Sequence, residues 1–92
     1  MTVRFTDRSS RQIDEALIYV YERSPSGAEK IATRISEVID LLANQPRSGQ
    51  RTNRKSTRRL VLTPYPYVIF YRLNRDDVIV TRFIHTARRP TP

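Results

Sequence analysis

The single histidine of this 92-residue chain sits among guanidiniums: Arg82, His85, Arg88 and Arg89 fall within one short stretch. A histidine with its ordinary pKa of about 6.5 can take and give a proton near neutrality. Arginine forks bind phosphate or carboxylate through paired hydrogen bonds. Such a cluster could hold an anionic ligand and move a proton on it. The plainer role is a strand-end histidine that bonds to backbone. No carboxylate stands near it in sequence to orient the ring, which favours the plainer role. His85 alternates with Phe83 and Ile79, on what would be the helix-covered side of a sheet.

A second cluster lies upstream. Arg47, Arg51, Arg54, Lys55, Arg58 and Arg59 follow one another with no acid among them. They could form an electrostatic footprint for nucleic acid, for a protein–DNA complex or for an acidic protein. An ordinary solvated face is the alternative, but this density of cations exceeds what solubility requires. Arg58 and Arg59 must point to opposite faces if they lie in a strand.

The charge is lopsided. The net charge is +8, yet residues 1–40 hold six Lys/Arg against seven Asp/Glu, and the remainder holds eleven against two. Fifteen of the 17 basic residues are arginine, which favours planar bidentate contacts. With 38% apolar and 28% charged residues, the composition is that of one small globular domain spanning 1–92. There is no cysteine, so disulfides and thiolate metal sites are excluded. A lone histidine argues against a structural zinc site, and no cofactor motif is present. No apolar run approaches the ~20 residues that span a bilayer, and MTVRFTDRSS lacks a signal-peptide core. The expected location is the cytoplasm, with no membrane partner.

The elements that position these residues follow from apolar spacing. Thr2–Phe5 alternates as a short strand. Ile13, Ala16, Leu17, Val20 and Tyr21 form one stripe of a helix from about Ser9 to Arg23, ended by Ser24-Pro25. A second helix starts either with Ser24 as cap and Pro25 in the first turn, or at the capping box Ser26–Glu29. Its stripe is Ala28, Ile31, Ala32, Ile35, Ile39 and Leu42. Residues 44–57 read as a loop. Three strands follow at about Arg58–Thr63, Tyr67–Leu73 and Val78–His85, with Leu60 and Leu62, then Ile69, Tyr71 and Leu73, then Val78, Val80 and Ile84 sharing faces. Tyr65, Tyr67 and Tyr71 could stack on bases, but the alternation of Tyr67, Ile69 and Tyr71 suits a core face. Short connections imply antiparallel pairing. The expected fold is α+β, in the order β-α-α-β-β-β, with an antiparallel helical hairpin on a small twisted, mainly antiparallel sheet. A groove beside the hairpin would suit an amphipathic segment of a partner.

The motifs, taken in order, resemble the RelE/ParE superfamily of bacterial type II toxin–antitoxin toxins over essentially the whole chain. They are Leu42-Ala43-Asn44-Gln45-Pro46-Arg47-Ser48-Gly49, Arg58-Arg59-Leu60, Tyr65 to Tyr71, and His85-Thr86-Ala87-Arg88-Arg89-Pro90. The pattern is closer to the ParE branch. That resemblance implies a toxin that binds and inhibits DNA gyrase and is held inactive, in a hetero-oligomer, by a ParD-like antitoxin with an acidic amphipathic segment. The RelE branch implies instead a ribosome-dependent endonuclease acting on mRNA. Here that reading would rest on Arg59, Arg82, His85 and Arg88. RelE-like nucleases place a lysine in the middle strand and a tyrosine near the C-terminus. This chain has Val68 at the first position and no tyrosine after Tyr71. Under either reading Arg47, Arg51, Arg54, Lys55, Arg58, Arg59, Arg88 and Arg89 are the expected basic surface for target or antitoxin.

Overall fold

In the computed structural model, residues 1–88 are described, with the Arg88 side chain outside that description. Strand β1 spans Thr2–Phe5, and helices α1 and α2 span Asp7–Tyr21 and Pro25–Asn44. Strands β2 (Gln50–Arg51), β3 (Thr57–Val61), β4 (Tyr67–Asn74) and β5 (Asp77–His85) follow, and Thr86–Arg88 forms a 3₁₀ turn. The strands make one five-stranded sheet in the order β1-β5-β4-β3-β2. Every neighbouring pair is antiparallel except β1 and β5, which run parallel. The expected α+β hairpin-on-sheet architecture is what the chain adopts. Neither helix is long and apolar enough to cross a membrane.

Both helix starts are written locally. Thr6 caps α1, its hydroxyl accepting the Ser9 amide at 3.1 Å. Ser24 caps α2 by accepting the Gly27 amide, with Pro25 in the first turn, so the first of the two expected starts is the one used. The connection between the helices is three residues long, Glu22 to Ser24, which forces them antiparallel. Ile13, Ala16, Leu17 and Val20 of α1 pack on the core, as do Ile31, Ile35, Val38 and Leu42 of α2. Two positions differ from the expected stripes. Val38 is fully buried, and Tyr21 is exposed.

Ser9 is the one buried polar residue of the described chain. Its hydroxyl lies 2.8 Å from the Val80 carbonyl and 3.0 Å from that of Thr6, tying α1 to β5. Ser9→Ala removes this tie while the Val80 and Thr6 carbonyls keep the amides of Thr6 and Ser10, so it should lower unfolding free energy by about 1 kcal/mol. Urea denaturation measures this directly.

The β4–β5 pairing carries a bulge. Phe70 pairs with Arg82 while Tyr71 pairs with Val80, so Thr81 is an extra residue on β5. Its hydroxyl donates to the Phe70 carbonyl at 3.2 Å, and its own carbonyl accepts from the Thr6 hydroxyl. An extra residue reverses which face later residues take. Val78 and Val80 therefore meet the helices, and so does Phe83. The expected grouping of Ile84 with Val78 and Val80 is corrected by this bulge. So is the grouping of Ile79 with Phe83 and His85. A second correction concerns residues 44–57, which contain the short strand β2.

Candidate anion-binding face

Directly opposed residues in an antiparallel pair share a face. One such row runs Gln50, Arg59, Phe70, Arg82 across four strands, on the side away from the helices. The bulge at Thr81 puts Arg82 there. The sheet thus brings Arg59 and Arg82 to the two flanks of Phe70. All three side chains are half-buried.

The electrostatics of this row are unrelieved. The Arg82 pKa is lowered from its ordinary value, first by burial and then by the positive charges of Arg8 and Arg54. The guanidinium stays protonated regardless. Arg8 belongs to the first turn of α1, and Arg54 to the β2–β3 turn. That turn is held by Thr52, whose hydroxyl donates to the Thr57 carbonyl and accepts the Arg54 amide. The Nε atoms of both Arg59 and Arg82 are buried and have no hydrogen-bond partner among the described residues. A buried donor without an acceptor is destabilising by about 1–3 kcal/mol. Two of them in one row, with further cations alongside, describe a place for an anion that accepts hydrogen bonds: a phosphate or a carboxylate.

The remaining expected residues separate into distinct roles. Arg47, Arg51, Arg54 and Lys55 are exposed and can contribute to a basic surface. Arg58 faces the other way from Arg59, as strand geometry requires. Its guanidinium donates to the carbonyls of Gly49 at 2.9 Å and Arg47 at 3.3 Å, so it secures the loop before β2. Arg89 and the Arg88 side chain lie outside the described residues.

His85 does not join Arg59 and Arg82. It pairs with Tyr67 on the helix-side row, its ring edge-on to Tyr67 at 5.3 Å. Its Nδ1 accepts the Ala87 amide at 3.1 Å. That is the backbone-bonding role, and the ring lies on the Tyr67 face, although His85 and Arg82 both line the groove between α1 and β5. Tyr67 also stacks on Phe83 at 5.0 Å, and Tyr71 is fully buried. Neither tyrosine is offered to a base, and Tyr65 packs against the core.

Sequence reasoning missed Arg8, which lies in the charge-balanced half. It also carried the alternation of Val78 and Val80 on to Ile84, across the bulge. One signal for the bulge was available: the apolar parity of β5 changes between Val80 and Phe83.

A helical hairpin on one face of this mixed sheet is a fold shared with known toxin structures. The family described as the ParE toxin of the type II toxin–antitoxin system parDE matches residues 3–90, and the chain belongs to that family. It is 42% identical over 79 residues to the putative toxin Y4kP of Sinorhizobium fredii, covering 86% of this chain and 82% of that one. It is 30% identical to Toxin RelE1 of Caulobacter vibrioides over 87 residues, 91% of each. Among solved structures, the chromosomal ParDE toxin–antitoxin system from P. aeruginosa superposes with a TM-score of 0.78 at 21% identity, covering 92% and 95%. The isolated E. coli RelE toxin superposes at 0.61 and 14% identity, covering 96% and 86%. The chain is therefore a type II toxin of the RelE/ParE superfamily, and membership of such a system implies an antitoxin partner.

Proposed function

We propose that this toxin is ParE-like: it inhibits DNA gyrase by binding, arrests growth, and is neutralised in the cytoplasm by a ParD-like antitoxin. The observation that carries this reading is the make-up of the guanidinium row. Arg59 and Arg82 can bind a phosphate or carboxylate, but the row supplies no group that takes or gives a proton near neutrality. Cleavage of RNA through its 2′-hydroxyl needs such a group beside the phosphate. His85 is on the opposite face, and Val68 occupies the middle-strand position where a lysine would serve a nuclease. A surface that binds anions without proton transfer suits a protein that clamps an enzyme–DNA complex.

The reading is tested by adding antitoxin-free chain to gyrase and following supercoiling and cleaved DNA. Inhibition with accumulated cleaved DNA is the expected result. No effect at micromolar concentration, from folded chain that still arrests growth, overturns it. The second reading is a ribosome-dependent mRNA endonuclease. It is favoured by the Arg59–Arg82 pair itself, which could neutralise a phosphorane, and by the likeness to a relative named RelE1. The two separate at His85. His85→Ala should leave growth arrest within about twofold of wild type, because its ring serves the Ala87 amide and Tyr67. Loss of arrest in a folded variant would return the histidine to catalysis.

A further inference from the structure

Strand β1 stops early. It pairs with β5 from Asp77 to Val80, and the chain then turns into α1 at Thr6. Beyond Val80 it is α1, and no strand, that runs along this side of β5. The Ser9 hydroxyl is 2.8 Å from the Val80 carbonyl, and further along the Gln12 side chain accepts the Phe83 amide at 2.9 Å. Arg8 precedes Gln12 by four residues, so it stands on the same flank of α1, one turn nearer the helix start. Its side chain is exposed. Among the described residues no strand stands between that position and the outer face of the sheet, where Arg82 lies.

A connected set of hydroxyls fixes the start of α1 against the bulge. The Thr6 hydroxyl accepts the Ser9 amide at 3.1 Å and donates to the Thr81 carbonyl at 3.3 Å. Thr81 is the bulged residue, and its own hydroxyl donates to the Phe70 carbonyl at 3.2 Å. The Thr6 amide bonds to the Val80 carbonyl at 3.0 Å. Thr6, Ser9 and Thr81 thus join the helix start, the bulge and the middle of the Arg59–Phe70–Arg82 row. The charges agree with that closeness. After burial, Arg8 is the largest influence holding the Arg82 pKa down, ahead of Arg54. The ion pairs among the described residues, Arg4–Asp77 and Arg34–Glu37, involve neither. Like charges held together repel, and with no acid paired to them the compensation is left to a ligand.

We propose that Arg8 is a further binding residue for the anion of this face, sharing it with Arg82; that the anion is a phosphate group; and that Thr6, Ser9 and Thr81 are positioning residues that set the spacing of the two guanidiniums. Arg59 and Arg82 approach from the sheet, and Arg8 comes over its edge from a helix. A carboxylate offers two oxygens in one plane, whereas a phosphate offers oxygens in three directions to donors from different elements. Arg8, Arg54, Arg59 and Arg82 together also carry more charge than one carboxylate can offset. The inference rests on the row being an anion site, and not on gyrase as the target, so a negative gyrase assay leaves it standing.

The test follows the arginine Nε–H signals of the antitoxin-free full chain by NMR as inorganic phosphate is added at constant ionic strength, with succinate as the dicarboxylate control. The Arg8 and Arg82 signals should move along one binding curve, and phosphate should bind more tightly than succinate. Arg8→Gln should weaken phosphate binding about tenfold, the loss of one charged hydrogen bond. Arg11→Gln, which removes an exposed cation from the same helix, should change it by less than about twofold. Thr6→Val and Thr81→Val should weaken binding by about threefold to tenfold in chain that stays folded. Thr6→Ser and Thr81→Ser keep the hydroxyl and should restore it. A hydroxyl that only stabilises the fold would lower Tm and leave the affinity of the folded chain alone; that result removes the positioning role. An Arg8 signal that stays still, or an Arg8→Gln loss no larger than that of Arg11→Gln, overturns the Arg8 site. Succinate binding as tightly as phosphate overturns the ligand class. If Arg59 and Arg82 themselves do not respond, the anion site falls and the proposal with it, a failure that the gyrase assay does not share.

Discussion

Gly49→Ala should be among the most damaging single substitutions in this protein. A Cβ on Gly49 would lie 2.5 Å from the Tyr71 hydroxyl, 2.7 Å from its ring and 2.8 Å from the Arg59 carbonyl. None of these neighbours can yield easily. The Tyr71 side chain is fully buried, and its hydroxyl accepts the Gly49 amide at 2.9 Å while donating to the Pro46 carbonyl at 2.8 Å. The Arg59 carbonyl belongs to the β3 backbone. Overpacking against rigid neighbours of this kind is destabilising by about 3 kcal/mol. For a domain of this size that lowers Tm by roughly 12–24 °C. Tyr71→Phe strands the Gly49 amide and the Pro46 carbonyl without their shared partner and should lower stability by about 1–3 kcal/mol. The two changes are coupled. Once the hydroxyl is gone the closest clash goes with it, so the double variant should fall short of the sum by on the order of 1 kcal/mol. Chemical denaturation of the four proteins measures that coupling. Strict additivity would mean that the loop from Pro46 to Gly49 is not locked onto Tyr71.

That lock shows what could and could not be read from the chain alone. Pro46 and Gly49 were visible as a motif, and Tyr71 as a core position, because proline, glycine and alternation are local signals. Their meeting is tertiary: the glycine is small because a phenol from a strand 22 residues away occupies the space. The helices were legible for the same local reasons, through the stripe on α1 and the cap at Ser24. Val38 shows the limit there, since how wide a stripe is buried depends on what the sheet presents to it. Strand β2 was not legible, because two residues have no period. Its pairing comes from β3 and from the Arg58 bonds that hold the preceding loop.

The guanidinium row was the least legible feature. Strict alternation from Val78 would send Arg82 into the core and Phe83 out of it. The sequence resolves this conflict by spending one residue, Thr81, whose hydroxyl bonds to the Phe70 carbonyl. The bulge depends on the β4–β5 register, and register is a property of two strands. The same step that rescues the core carries Arg82 to the face of Arg59, and leaves His85 with Tyr67. Three residues that look like one cluster in the sequence are in this way divided between two faces.

The largest functional effect should come from that row. Arg59→Gln and Arg82→Gln each remove a buried Nε donor without adding bulk. A hydrogen bond from a charged donor is worth about 1.5–3 kcal/mol, so each substitution should weaken toxin action by roughly tenfold to a hundredfold. Gyrase inhibition is the readout. Stability should move the other way. Burial and the charges of Arg8 and Arg54 disfavour the charged form of Arg82 in the folded chain. The unfolded chain has neither penalty, so neutralising Arg82 removes a cost that only the native state bears. Arg82→Gln should therefore raise unfolding free energy, on the order of 0.5–1 kcal/mol, while it removes function. Lys30→Gln is the control: its exposed side chain on α2 is outside the row and the basic surface, and both stability and inhibition should stay near wild type. A charge held at some expense to the fold, and needed for toxicity, is the mark of a binding site. If Arg82→Gln instead lowers stability and leaves inhibition intact, the guanidinium serves the sheet, and the target contact lies with the exposed arginines of the β2–β3 turn. Charge reversal at Arg51, Arg54 and Lys55 would then abolish growth arrest, where the row predicts only a partial loss through Arg54.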